Sequence, residues 1–374
     1  VSKVIQYHPS ILEADAIGYS IASLHAVLRE AGIESEMYCA DANATPFTDL
    51  KPVSALLNLT TQDQPPDILI IHYSFYDEVA LRLAQLPGRK ILVYHNITPG
   101  HFFQRPGMEQ MAWLGDACNG ARAQLATMHT MFDISVGDSD YNAQELRQLG
   151  FHNVTTIPVF VNTEFFRSDL LDTATFNAIR SQAATNIAFV GRFVPNKAIE
   201  DVIGVLAQYK RMFGAHINLH LIGKIWDQPY YSSLLAHAAQ HGVLDLIRTH
   251  IALEPIKLKT VFAAADAFVS MSQHEGFMVP VIEAFAAGCP VIARNAGAVG
   301  DTMGDGGFLL PDADTQLAAS LVRMLTLDGG LRERVIAGQR RRAFHFRTEN
   351  TARLWLKTLY RDNARHKPHG RARP

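Results

Sequence analysis

Two carboxylates, Glu275 and Glu283, stand eight positions apart in an apolar stretch that runs from Ser270 to Ile292. A carboxylate among apolar neighbours needs a partner, because an unpaired buried charge is costly. Such a pair could serve as general acid and base, as in glycoside hydrolysis. It could equally accept hydrogen bonds from the hydroxyls of a bound sugar and a ribose. Capping of a helix by Glu275 and a surface place for Glu283 are the plain structural alternatives. Val281, Ile282, Ala284 and Phe285 make the surface place uncomfortable for Glu283. A second group lies in Val190-Gly-Arg-Phe-Val-Pro-Asn-Lys-Ala. There Gly191 permits close approach, Arg192 can fork onto phosphate oxygens and Lys197 adds a point charge, which together suit a diphosphate. Two solvated surface cations are the bland alternative. His95 stands at the end of an apolar run, where a satisfied core histidine competes with a functional one. Gly18, after the first strand, is a weak further candidate.

These residues must be positioned by alternating strands and helices. Val4 to His8, Glu36 to Ala40, Asp67 to His72, Lys90 to His95, Asp133 to Gly137 and Val154 to Val159 read as strands, the third and fourth with continuous apolar centres. Helical periodicity occupies Tyr19 to Ala31, Glu78 to Leu86, Met108 to Met131 and a segment from Ser139, a fair N-cap, to Leu149. Pro9 to Gly18 reads as a loop. Val161 to Thr185 reads as a linker with one short helix. A second series starts at Asn186, with strands near Phe189, Leu221, Thr249, Val269, Val291 and Leu309. The opening stretch is strand, turn, helix from Val281 to Ala287, glycine stop at Gly288, then strand. Buried strands alternating with helices are the signature of parallel α/β sheets. The pattern predicts two doubly wound, Rossmann-like domains, residues 1–165 and 166–347, facing across a cleft. A C-terminal helix (about Thr348 to Asn363) and a basic tail, residues 348–374, lie beyond the second domain. Ligands of such sheets bind at the carboxyl ends of the strands.

Composition narrows the function. The chain is 48% hydrophobic and 19% charged with a formal net charge of −2, which fits a globular protein and argues against nucleic acid as a partner. Three separated cysteines, Cys39, Cys118 and Cys289, lack zinc or disulfide spacing and fit a reducing cytoplasm. Val1-Ser-Lys-Val-Ile-Gln reads as a strand rather than a secretory leader. No run reaches the ~20 apolar residues of a membrane span. Membrane contact is therefore expected to be peripheral. Its candidates are the basic end from Ala364 and the aromatic stretch Phe102, Phe103, Met108, Met111, Trp113 and Leu114. Core packing is the competing explanation for that stretch. Asp312-Ala-Asp314 has the look of a metal site, but after Pro311 it reads as a loop and helix cap. No Cys or His cluster has metal spacing, and P-loop and Gly-x-Ser-x-Gly elements are missing.

The order of these elements resembles the retaining glycosyltransferases of family 4, with the α/β fold called GT-B, over nearly the whole chain. Glu275-Gly-Phe…Glu283-Ala-Phe-Ala-Ala-Gly-Cys-Pro-Val-Ile resembles the family's Glu-x7-Glu motif. Val190-Gly-Arg…Lys197 resembles its diphosphate motif, and His220-Leu-Ile-Gly its next strand. Asn153 to Phe165 resembles the linker, and Tyr94-His95 the strand-end histidine of the acceptor-side domain. The resemblance implies that Arg192 and Lys197 hold the leaving nucleoside diphosphate. Glu275 with Gly276, Phe277 and Met278 would face donor sugar and phosphate, and Glu283 the ribose. His95 would approach the reacting carbon, and the segment from Leu253 to Lys257 would flank the base. It implies no resident metal or cofactor, only a nucleotide-sugar donor. Two departures stand out. A Gly-Gly pair common after strand one is reduced to Gly18, and Lys-Gly becomes Lys197-Ala198.

Within the family, the likeness runs to bacterial exopolysaccharide α-mannosyltransferases of the acetan and xanthan type. That implies GDP-mannose as donor, a polyprenyl-diphosphate-linked glycan as acceptor and a place on the inner face of the cell membrane. A UDP-sugar donor or a sucrose-type acceptor is the runner-up. A sugar-nucleotide epimerase and a non-catalytic binding protein of the same fold are the other classes. Retention of Arg192, Lys197, Glu275 and Glu283 argues against the last.

Overall fold

The computed structural model describes residues 1–12, 15–40, 49–59, 66–181, 184–214 and 216–360. The basic tail expected from Ala364 onward lies outside the described residues. The first sheet comprises β1 (Lys3–Tyr7), β2 (Glu34–Cys39), β3 (Leu50–Pro52), β4 (Ile68–Tyr73), β5 (Arg89–Tyr94), β6 (Ile134–Gly137) and β7 (Val154–Thr156). Their spatial order is β3-β2-β1-β4-β5-β6-β7, and every pairing is parallel. The second sheet comprises β8 (Thr185–Val190), β9 (Ile217–Gly223), β10 (Ile247–Ile251), β11 (Ala267–Ser270), β12 (Val291–Arg294) and β13 (Phe308–Leu310). Its order is β10-β9-β8-β11-β12-β13, again all parallel.

Parallel strands need both faces covered, and the side-chain period of two divides their residues between two cores. Ile187, Phe189, Leu219 and Leu221 enter one core of the second domain. The alternate residues Ala188, Ile222 and Phe268 enter the other. β4 is buried at all of its positions. The chain order reverses beside the first strand of each sheet, between β1 and β4 and between β8 and β11. Loops leaving such a pair diverge to opposite faces and open a crevice at the carboxyl ends.

The structure departs from the sequence pattern at several places. The first sheet gains a seventh strand, β3, which has only three residues and ends in proline. The helix expected from Tyr19 begins at Ala16 and runs to Glu30, so Gly18 is helical rather than part of a loop. The linker carries two helices, Thr163–Arg167 and Thr173–Arg180. The stretch expected as one helix from Met108 begins with a 3-10 turn, Glu109–Met111, and becomes α-helical at Ala112–Thr127.

Two further features concern packing. Phe102, Phe103, Met111 and Leu114 are core residues, while Trp113 stays 63% exposed. The last helix, Thr348–Tyr360, returns to the first domain. Its Trp355 and Leu359 pack with Val4, Leu24 and Ile70, and Arg89 donates to the Leu359 carbonyl at 3.0 Å. The crossover between domains is legible in packing. Ile157 and Phe160 belong to the first domain's core, and Val159 and Val161 to the second's.

Candidate active site

The loop after β8 holds Gly191, Arg192 and Lys197, and the loop after β11 holds Glu275 and Gly276. These loops flank the reversal point of the second sheet. Gly191 and Gly223, at the ends of adjacent strands, press together: a Cβ on Gly223, whose φ is +157°, would lie 1.8 Å from the Gly191 carbonyl oxygen. Only glycine fits there. The two loops are stitched by Asn196, which is buried. Its Nδ2 donates to the His274 carbonyl at 3.2 Å, and its own carbonyl accepts the Gln273 amide at 2.8 Å.

That stitching brings Lys197 onto Glu275, with Nζ 2.7 Å from both carboxylate oxygens. Side-chain exposures of 14% and 9% make this a largely buried ion pair. Breaking it by removing one partner leaves the other charge uncompensated. The residue after Lys197 explains one departure from the family pattern. Ala198 is left-handed at φ 45°, ψ 51°, the backbone that glycine takes most readily.

Arg192 points the other way. It is exposed, lies 5.5 Å over the Trp226 ring and forms no ion pair or side-chain hydrogen bond among the described residues. A guanidinium held by an aromatic face, with its donors free, is poised for an anion. Trp226 was not singled out in the sequence. It sits just past β9, the strand-end position that would have marked it.

Glu283 lies in the helix Val279–Ala287. The helix starts from Met278 in a left-handed conformation and ends at Gly288, also left-handed. Packing of Val281, Ile282, Ala284 and Phe285 into the core fixes its rotation and leaves Glu283 partly buried. Its carboxyl meets no hydrogen-bond or ion-pair partner among the described residues. Burial alone pushes its pKa up to about 7. Phe277 and Met278 are core residues, and Phe277 contacts Phe346 edge-on with ring centroids 5.6 Å apart. The Phe277 carbonyl accepts the Thr302 hydroxyl. Leu253 packs partly buried against the same core.

Across the cleft, His95 follows β5. Its Nδ1 is 2.7 Å from Asp138 Oδ2 and its Nε2 is 2.9 Å from His72 Nδ1. His72 Nε2 in turn meets Gln6 Oε1 at 3.1 Å. Gln6 Nε2 donates to the Ile21 carbonyl at 3.2 Å. A carbonyl only accepts, so the Gln6 amide presents its oxygen to His72. His72 therefore carries its proton on Nε2 and accepts from His95 Nε2–H. Both nitrogens of His95 are engaged, and its side chain is 2% exposed. Burial and the neighbouring His95 hold the His72 ring well below the usual histidine range. His95 is legible in the sequence, but His72 and Asp138 are not: they stand at the ends of β4 and β6, which flank β5 only through sheet order.

Gly18 lies in the first turn of the helix Ala16–Glu30. A Cβ there would lie 2.0 Å from the Leu12 carbonyl oxygen, so the helix packs against the loop after β1 at that point. Asp314 caps the helix Thr315–Leu327, accepting the Leu317 amide at 2.8 Å. The described residues contain no group of three His, Cys, Asp or Glu that could hold a metal.

Two doubly wound domains with their reversal points at one cleft define the GT-B class of fold. A solved Anabaena protein, Alr3699/HepE in complex with UDP-glucose, superposes at a TM-score of 0.72 with 16% identity, over 96% of this chain and 99% of that one. Residues 176–342, most of the second domain, match the family described as "Glycosyl transferases group 1". An MMP alpha-(1->4)-mannosyltransferase of Mycolicibacterium hassiacum is 29% identical over 170 residues, 44% of this chain and 40% of the relative. A GDP-mannose-dependent alpha-mannosyltransferase of Corynebacterium glutamicum is 25% identical over 277 residues, 72% of this chain and 62% of the relative. The chain thus spans about half the length of these two curated relatives.

Proposed function

We propose that the chain is a retaining glycosyltransferase that moves mannose from GDP-mannose to a polyprenyl-diphosphate-linked glycan. The acceptor class follows from the resemblance to enzymes of exopolysaccharide and lipopolysaccharide assembly. The observation that carries the transferase reading is the grouping at one reversal point of the Arg192 guanidinium, the Lys197–Glu275 pair and the Glu283 carboxyl, the first and last without a hydrogen-bond or ion-pair partner among the described residues. Those groups match a nucleotide sugar part by part: diphosphate, hexose and ribose. The similarity to a GDP-mannose-dependent enzyme over 72% of the chain favours the guanine donor. A UDP-sugar donor is the second reading, favoured by the likeness to a protein solved with UDP-glucose.

In this reading the Lys197–Glu275 pair is the resting arrangement. Donor phosphate competes for Lys197 while sugar hydroxyls compete for Glu275, so each charge exchanges one partner for another and neither is stranded. The bond from the anomeric carbon to the β-phosphate oxygen breaks, and the acceptor oxygen forms its bond on the same face. The acceptor proton passes to the departing phosphate. Arg192 and Lys197 stabilise the charge that develops on the diphosphate, the electrostatic effect that contributes most in such sites. Glu283 accepts the ribose hydroxyls, and the Leu253 segment flanks the base. The two cations take the part that a divalent metal plays elsewhere, so the reaction runs without a resident metal or cofactor. The enzyme works at the cytoplasmic face of the membrane. Trp113 is the residue of the 102–114 stretch whose exposure suits a lipid surface.

The test is transfer itself. GDP-mannose is supplied with a polyprenyl-diphosphate-linked glycan, and GDP release and the anomeric configuration of the product are followed. The expected result is an α-linked product, formed equally well with EDTA present and abolished in a folded Arg192→Ala variant. Activity retained by that variant, or strict dependence on added metal, contradicts the reading. Transfer from UDP-glucose alone selects the second donor.

A further inference from the structure

We propose that His274 and Asn96 form an interdomain latch that positions Glu275 and Lys197 for transfer, which makes His274 a positioning residue of the reaction. The proposal rests on the transferase reading for its kinetic consequence and on geometry for the latch.

Asn96 follows β5 and is left-handed, with φ of 70°. Its Nδ2 donates to Asn142 Oδ1 at 2.9 Å and to Glu145 Oε2 at 3.2 Å. Glu145 is itself anchored by Arg122 and by the Tyr94 hydroxyl. The amide nitrogen is thus committed inside the first domain, and Oδ1 is left to accept. His274 Nε2 meets that oxygen at 2.7 Å from the other domain, so His274 donates. The His274 ring is buried. It lies between two first-domain rings, Phe102 at 6.0 Å and Tyr141 at 5.9 Å between centroids. Burial pushes its pKa down to about 4, which leaves it a neutral donor at working pH.

The next two residues show what the latch holds. The Gly276 carbonyl accepts the Ser139 hydroxyl, again across the cleft, at 2.9 Å. A Cβ on Gly276 would stand 2.5 Å from Asn96 Cβ. Residues 274 and 276 are therefore both seated on the first domain, and Glu275 between them reaches Lys197. On the second-domain side Asn196 grips the His274 carbonyl. When the domains part, the loop loses both first-domain seats, and the Glu275 carboxylate loses the frame that sets its position. Closure and site assembly are one event at His274.

The experiment is a double-mutant cycle on Asn96→Ala and His274→Ala in the full chain. It reads kcat for transfer, Kd for the free nucleoside diphosphate by calorimetry, and radius of gyration by small-angle scattering. His274→Gln, which keeps an N–H donor, is the rescue variant. Each single alanine variant is expected to lower kcat at least tenfold and to leave nucleotide Kd within about threefold. The double variant is expected to be no worse than the singles, with His274→Gln recovering part of kcat. Additive losses, or singles with unchanged kcat, overturn the latch. The scattering arm is independent of activity. Larger radii of gyration for both alanine variants support the latch even if no sugar nucleotide is turned over. Radii equal to the parent's overturn it, whereas a folded parent that transfers from no donor overturns the transferase reading alone.

Discussion

Glu283 is the residue whose chemistry is most altered by its place. Its ordinary pKa of 4.5 is raised to about 7 by burial, and no described residue offers the carboxyl a partner. The sign of the linkage is fixed by that direction. Between about 4.5 and about 7 the unfolded chain has lost a proton that the folded protein keeps. Stability therefore falls as pH rises through this window, by an amount on the order of 3 kcal/mol once pH exceeds 7. Glu283→Gln should remove that loss. Denaturant unfolding at pH 5 and pH 8 should show the variant gaining on the parent at the higher pH, and an equal difference at both contradicts it. The four charged groups, Arg192, Lys197, Glu275 and Glu283, were legible in the sequence because charged residues beside strand ends and in apolar helices have few alternatives. The direct Lys197–Glu275 contact was not, since it depends on Asn196 fastening two loops 78 positions apart. Trp226 and His274 were missed for the same reason: each acts through a partner that only folding supplies.

At the scale of elements, strand and helix alternation was readable wherever strands were long and buried. All six strands of the second sheet stand at the places expected, near Phe189, Leu221, Thr249, Val269, Val291 and Leu309. β3 escaped because Leu50-Lys-Pro carries too few apolar residues to show a period. The final helix was readable as a helix but not as a member of the first domain. Its amphipathic face shows that it packs, not against what. That placement carries a prediction. Trp355 is 3% exposed in the first domain's core, so Trp355→Ala should cost about 3–5 kcal/mol, the usual range for removing a buried aromatic. Unfolding followed by fluorescence should show the first domain destabilised while the nucleotide affinity proposed for the second domain changes little. A variant as stable as the parent would place the helix outside that core.

At the scale of the molecule, the two sheets share one logic. Each reverses its strand order beside its first strand, and each turns its carboxyl-end loops toward the other domain. The sequence carried this much through the repeated alternation, but not how the halves meet. Ser139 to Gly276 spans 137 positions and His274 to Asn96 spans 178. Such pairs leave no periodic trace. The proposed function turns on the reversal point of the second sheet holding a nucleoside diphosphate through Arg192. Calorimetric titration of GDP, UDP and ADP into the protein at pH 8, with and without Arg192→Ala, tests it most directly. The account predicts one-to-one binding of GDP to the parent and at least a tenfold loss of affinity in the variant. Binding of none of the three to a folded parent, or equal affinity in the variant, would contradict it.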